Sequence, residues 1–99
     1  MEISSVEDIY KALTGQGTLE WLGESKSAAV LYFSRGRRRY KIFFDDSNVE
    51  ISRRHRLFGR EYWDSLGVRR YEQPEDSVQD VYETVMWCLQ SAGKDELLT

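Results

Sequence analysis

The spacing of apolar residues divides this chain into helical and extended segments. Near the amino terminus, Ser5 stands before apolar residues that recur every three or four positions, which predicts a capped helix that ends at Gly15. A longer helix is predicted after Pro74, and Gly93 ends it. The apolar stripe of the first helix is Val6, Ile9, Tyr10 and Leu13, and that of the second is Val78, Val81, Tyr82, Val85, Leu89 and Ala92.

Between the two helices, β-branched and aromatic residues indicate strands. Residues 18–22 are a short strand candidate, and residues 28–44 have the pattern of two strands joined by a tight turn at Gly36. A third strand is predicted over residues 49–56. Residues 57–73 contain apolar residues without a clear period and are predicted to form a short helix or a packed loop.

The hairpin over residues 28–44 has one apolar and one basic face, because side chains alternate along a strand. A two-residue loop at Arg35-Gly36 predicts that Ser34 pairs with Arg37 and Tyr32 with Arg39. The face expected beneath the helices carries Ala29, Leu31, Phe33, Tyr40, Ile42 and Phe44, with Arg38 at its turn end, and the face expected toward solvent carries Val30, Tyr32, Arg37, Arg39, Lys41 and Phe43.

Together these elements predict an α+β fold, with a small antiparallel sheet of three or four strands and N-terminal and C-terminal helices packed on one face. The length of 99 residues and the apolar fraction of 40% fit a single domain with one core. We expect this domain to cover residues 1–93 and residues 94–99 to form a frayed tail. With no signal-peptide pattern, no long apolar run and one cysteine, the sequence leads us to expect a cytoplasmic location without membrane partners.

Charge is unevenly distributed along the chain. All ten arginines lie in residues 35–70. This segment contains 11 basic and five acidic residues, whereas residues 71–99 contain one lysine and seven acidic residues. Arginine matches phosphate oxygens with a planar fork, and aromatic rings on the same face offer stacking surfaces for bases. We therefore predict a non-enzymatic module that binds nucleic-acid phosphates through Arg35, Arg37, Arg39, Lys41, Tyr32, Phe43, Arg53, Arg54 and Arg56.

Two alternatives to nucleic-acid binding remain open. The arginines could form a solvated face that pairs with Glu50, Glu61 or Asp64. They could also serve a protein-protein interaction module, such as an inhibitor, immunity-type or adaptor domain. Trp87 supports this alternative, because a helical wheel places it among acidic residues opposite the apolar stripe, and tryptophan is enriched in protein interfaces. We predict that Trp87 is at least partly exposed and that it marks a contact surface, with a homodimer as one possibility.

The residue types that usually carry catalysis or bind metals are scarce. A structural zinc site needs about four Cys or His ligands, whereas this chain has one of each, Cys88 and His55. Cys88 is expected to be a small buried apolar residue, and His55, within an arginine run, to be solvated or to contact phosphate. A calcium-loop pattern that starts at Asp46 fails at Ile51 and Leu57, where glycine and glutamate are needed. No cofactor, metal or enzymatic activity is therefore predicted.

Overall fold

The computed structural model describes residues 2–72 and 77–93 of the chain. Its elements in chain order are α1 (Val6–Ala12), β1 (Thr18–Trp21), β2 (Ala28–Arg35), β3 (Arg38–Asp45), β4 (Asn48–Leu57), β5 (Arg60–Arg70) and α2 (Ser77–Ser91). The strands form one antiparallel sheet in the sequential order β1-β2-β3-β4-β5. The α+β class is confirmed, but the sheet has five strands rather than three or four. The predicted helix start at Pro74 and the predicted tail over residues 94–99 lie outside the described residues.

The additional strand is β5, which occupies the segment predicted to be a short helix or a loop. Its pairing with β4 shifts register between Ile51 and Ser52, because Ile51 pairs with Gly67 whereas Ser52 pairs with Ser65. The residue left over, Leu66, interrupts the alternation of faces, as a β-bulge does. In addition, most side chains of β5 are exposed. A strand with a bulge and no buried face lacks the period of two by which strands are recognised in a sequence.

Helix α1 begins at the residue that the sequence predicts. The Ser5 hydroxyl accepts a hydrogen bond from the backbone N–H of Asp8, at 3.2 Å, and so caps the first turn. Hydrogen bonds from the backbone and side chain of Ser4 lower the pKa of the Asp8 carboxyl. On the sheet side of the helix, Tyr10 stacks on Trp21 of β1 with 4.2 Å between ring centroids. This contact attaches the amino-terminal helix to the edge of the sheet.

Helix α2 is held against the sheet by apolar packing and by hydroxyl groups. Ser77 donates a hydrogen bond of 2.6 Å to the carbonyl of Asp46, and the hydroxyls of Tyr71 and Thr84 are hydrogen-bonded. The most buried face of the helix is rotated from the predicted stripe toward Cys88. Val81, Val85, Cys88 and Leu89 are buried, whereas Val78, Tyr82 and Ala92 are only partly buried.

The β2–β3 turn lies one residue later than predicted. Arg35 pairs with Arg38 and Tyr32 with Lys41, so the two turn residues are Gly36 and Arg37. Gly36 has a φ of 62° while Arg37 keeps a negative φ, as in a type II′ turn. The partner of each residue therefore moves by two positions. A shift of two preserves the facing of every paired side chain, so the two predicted faces are retained except at Arg37, which was predicted on the face toward solvent and instead lies in the turn.

The core lies between one face of the sheet and the two helices. Both helices contribute to a single cluster of buried side chains, which confirms that they pack on the same face. The members from the sheet are Ala29, Leu31, Phe33, Tyr40, Ile42, Phe44, Val49 and Ile51, and those from the helical segments are Ile3, Val6, Ile9, Leu13, Val81, Val85, Cys88 and Leu89. Within residues 2–72 and 77–93, no helix has the length and apolarity needed to cross a membrane.

Candidate functional site

The sheet face opposite the helices carries the basic residues of β3, and we call it the outer face. Its members follow from the strand register, because residues paired across antiparallel strands point to the same side. Arg39 pairs with Ser34, Lys41 with Tyr32 and with Ser52. The outer face comprises Thr18, Glu20, Ala28, Val30, Tyr32, Ser34, Arg39, Lys41, Phe43, Asp45, Asn48, Glu50, Ser52, Arg54, Arg56, Glu61, Trp63, Ser65, Val68 and Arg70.

A groove of about 440 Å³ runs over one half of the outer face. It brings together two arginines, Arg39 and Arg54, and two aromatic rings, Tyr32 and Trp63. Guanidinium groups bind phosphate oxygens and aromatic rings stack on bases, so the groove combines both parts of a nucleotide contact. Its lining consists of Thr18, Glu20, Tyr32, Phe33, Ser34, Arg39, Tyr40, Arg54 and Trp63.

Trp63 is held in the groove by contacts with two other outer-face residues. The Lys41 ammonium lies 4.7 Å from the centroid of the indole, and the Tyr32 ring lies 6.0 Å away at an interplanar angle of 57°. The side chain is still 37% exposed. An indole that is already oriented loses little conformational freedom when a ligand stacks on it. Trp63 was not predicted as a site residue, because only the pairing of β5 with β4 brings it beside Arg54.

Two arginines at the end of β4 already have an acidic partner. The Glu61 carboxylate lies 2.7 Å from Nη2 of Arg56 and 3.6 Å from Nη1 of Arg54. The hydrogen bond from Arg56, followed by the charge of Arg54, lowers the pKa of Glu61. This pairing is part of what the solvated-face alternative predicts. Among the described residues, however, neither Arg39 nor Lys41 forms an ion pair within 4.0 Å.

Two predicted binding residues, Arg35 and Arg53, do not belong to the outer face. Arg53 pairs with Tyr40, and its side chain therefore leaves the sheet on the helix side. Arg35 also lies on the helix side, where its Nη2 donates a hydrogen bond of 3.2 Å to the carbonyl of Leu89. Its guanidinium carbon is 5.1 Å from the centroid of the Phe33 ring. Arg35 thus contacts the last turn of α2 rather than the groove.

The remaining predicted residues are distributed around the groove. Arg37 is exposed in the β2–β3 turn, and Arg56 lies beyond the groove near the end of β4. Phe43 is on the outer face but lines a separate depression of about 410 Å³ with Asn48, Glu50, Val68 and Arg70. Tyr32 and Phe43, both predicted as stacking residues, therefore do not share one site.

His55 and Cys88 are both placed away from the groove. His55 stacks on Tyr62 with 5.3 Å between ring centroids. Its Nε2 is buried 3.4 Å from Asp64 and forms no hydrogen bond within the described part of the chain. The side chain as a whole is 26% exposed, so the expectation that His55 is solvated or contacts phosphate stays a prediction. Burial raises the pKa of the Cys88 thiol to about 12. The described residues contain no group of three or more His, Cys, Asp and Glu placed to hold a metal ion.

Comparison with protein-family models, with curated proteins and with solved structures finds no match for this chain. The outer face and the residues that line its groove are therefore the features of this protein that indicate a function.

Proposed function

We propose that this protein is a non-enzymatic module that binds nucleic acid on the outer face of its sheet. The observation that carries the proposal is the groove in which Arg39 and Arg54 lie beside Tyr32 and Trp63. The arginines would hold phosphate oxygens through paired N–H groups, and the rings would stack on bases. Lys41 adds positive charge next to Trp63, at the edge of the stacking surface.

The aromatic rings favour single-stranded over duplex nucleic acid as the ligand. Bases in a duplex are stacked on one another, whereas unpaired bases can stack on exposed side chains. The acidic residues Glu20 and Glu50 lie on the same face, and the chain has a net charge of −3. Binding should therefore be moderate in affinity and should depend on a low salt concentration.

Two adjacent arginines allow a test in which the removed charge is the same. Arg39 points into the groove, whereas Arg38 lies on the helix side of the same strand, and both are exposed. We expect Arg39→Ala to weaken binding of a labelled single-stranded 12-mer. The slope of the logarithm of the binding constant against the logarithm of salt concentration should fall by about 0.7, because one phosphate contact is lost.

The Arg38→Ala variant should bind the 12-mer as the native protein does. If both variants weaken binding equally, binding of the 12-mer depends only on the overall charge of the protein, and the groove is not the site. If the native protein fails to bind the 12-mer at about 50 mM salt, where phosphate contacts are strong, the proposal is wrong.

An interaction with another protein is the second candidate function, and Trp87 is the observation that favours it. Its side chain is 42% exposed on α2, away from the sheet. Asp80 and Glu83 are exposed on the same helix. An exposed indole beside carboxylates suits a basic partner, because Trp side chains bind guanidinium and ammonium groups. This surface and the groove lie on opposite sides of the sheet, so each can be tested separately.

A further inference from the structure

The β4–β5 hairpin extends past the rest of the sheet as a two-stranded arm. The last residue of β4 that pairs with β3 is Arg53, and beyond it β4 pairs with β5 alone, from Arg54 with Trp63 to Leu57 with Arg60. We call residues 54–63 the arm. The four residues of β4 beyond Arg53 advance about 3.3 Å each. The tip of the arm therefore lies about 13 Å beyond the last position at which β4 is paired with both β3 and β5.

Phe58, at the tip of the arm, has an unfavourable position for a large apolar residue. Its side chain is 95% exposed. Its φ of 52° and that of Gly59, 76°, belong to the left-handed region, as in a type I′ turn. The first position of that turn favours Asn or Gly, and a bulky side chain there is strained. Strained residues that contribute nothing to packing are found at functional sites.

We propose that Phe58 is a second base-stacking contact for single-stranded nucleic acid, the same ligand that the groove binds. This inference rests on the proposed function and extends it to the tip of the arm. Arg56 and Arg60 flank the turn on the two strands and are exposed on opposite faces of the arm, and Arg56 is paired with Glu61. Among the described residues Arg60 has no ion pair within 4.0 Å. An exposed aromatic ring two residues from Arg60 is complementary to a polyanion with stacking bases.

The length of the arm sets the length of ligand that reaches both contacts. Trp63 is paired with Arg54 and Phe58 follows Leu57, so Phe58 lies four strand positions, or about 13 Å, beyond Trp63 along the arm. A stacked single strand advances about 3.4 Å per nucleotide, so the two positions are about four nucleotides apart. A 12-mer therefore spans both rings, whereas a trimer reaches only one of them.

The test compares Phe58→Ala with Leu57→Ala, a neighbouring exposed apolar residue in the same arm. Binding of labelled oligothymidylates of 12 and three nucleotides is measured at fixed salt, and circular dichroism checks that each variant is folded. We expect Phe58→Ala to weaken binding of the 12-mer by about 5- to 100-fold, the loss expected for one stacked base. Phe58→Trp should keep the affinity, Leu57→Ala should have little effect, and trimer binding should not change.

The salt dependence provides a second measurement. Phe58→Ala removes no charge, so the slope against salt should stay as in the native protein, unlike that of Arg39→Ala. If Phe58→Ala binds the 12-mer normally while Arg39→Ala is impaired, the proposed function holds and the inference about Phe58 is overturned. If the native protein binds neither oligomer, both are overturned. Binding to phosphatidylserine vesicles that depends on Phe58, without binding to the oligomers, would assign the tip to a lipid surface and would also overturn the inference.

Discussion

At the scale of single residues, Arg35 contributes to stability because its guanidinium lies at the carboxyl-terminal end of α2. The last carbonyls of a helix lack partners within the helix and carry partial negative charge, and Arg35 donates to one of them, that of Leu89. We expect Arg35→Ala to lower the free energy of unfolding by about 1 kcal/mol. Arg37→Ala, in the adjacent turn, should change it by less than about 0.5 kcal/mol.

Urea denaturation of the two variants measures this difference. Equal stabilities would show that the contact between Arg35 and the helix has no net effect. Because Arg35 is on the helix side of the sheet, we also expect Arg35→Ala to bind a single-stranded 12-mer as well as the native protein does.

The buried thiol of Cys88 makes stability depend on pH in alkaline solution. Burial raises its pKa from the ordinary value of 9.0 to about 12, so the unfolded chain releases the thiol proton at a lower pH than the folded chain. The stabilisation that the folded state gains from keeping this thiol protonated is fully present below pH 9 and is lost as pH rises from about 9 to about 12. Between pH 8 and 10 the native protein should therefore lose about 1 kcal/mol more than Cys88→Ala.

Denaturation of both proteins at the two pH values isolates this effect, since the two proteins differ only at position 88. Parallel losses of stability would mean that the thiol can ionise within the folded protein. Reaction of Cys88 with a thiol reagent at pH 8 should likewise be slow until urea unfolds the chain.

Alternation along strands accounts for the site residues that were placed correctly and for one that was not. Tyr32, Arg39 and Lys41 lie on the predicted face, because alternation depends only on β2 and β3 themselves. The same rule puts Arg35 on the side of Phe33, but Arg35 was included among the binding residues for its charge. Trp63 could not be assigned to the site from the sequence. Its neighbours depend on the pairing of β5 with β4 and on the bulge in that pairing, and neither can be read from a few consecutive residues.

At the scale of elements, the turn of the arm should be more stable with a residue that adopts positive φ readily. Asn tolerates the left-handed region, and Asn-Gly is the preferred pair of a type I′ turn. Because Phe58 makes little contact with the rest of the protein, its removal should cost little packing. We expect Phe58→Asn to raise the free energy of unfolding by about 1 kcal/mol. Phe58→Ala, which keeps most of the backbone strain, is the control, and its stability should stay close to native.

Thermal or urea unfolding compares these variants directly. A destabilised Phe58→Asn protein would show that the ring makes a stabilising contact. A variant that is more stable and binds oligonucleotides more weakly would fit a residue kept for binding at the expense of stability.

Elements were predictable where the signal was local. The Ser5 cap and the turn glycine Gly36 depend on a few consecutive residues, and both were found in the sequence. The turn was displaced by one residue, because Arg35 and Arg37 fit a strand end equally well. The fifth strand was missed, since most of its side chains are exposed and mainly its hydrogen bonds to β4 define it.

At the scale of the whole molecule, the charge separation suggests contact between copies of the protein. The carboxylates of Asp80 and Glu83 beside Trp87 are complementary to the arginines of the arm, and the two surfaces belong to different elements of one chain. We expect the native protein to self-associate at low salt in sedimentation experiments and to become monomeric at high salt. Trp87→Ala should weaken this association, because a guanidinium stacked on an indole contributes about 0.5–2 kcal/mol.

A native protein that stays monomeric at every salt concentration would contradict self-association. Lys11→Ala, which changes an exposed residue of α1, is a control that should leave any association unchanged. Association that persists in Trp87→Ala would place the contact elsewhere, for instance along the open edge of β5.

The sequential strand order also determines when the molecule can fold during synthesis. Each strand pairs with the one that precedes it in the chain, so the whole sheet can assemble hairpin by hairpin before α2 has left the ribosome. During that interval Tyr40, Ile42 and Ile51, which belong to the core, lack one of their two helical covers. A nascent chain that pauses after β5 therefore exposes an apolar sheet surface. Packing of α2 on that surface is then the folding step that protects the newly made protein from aggregation.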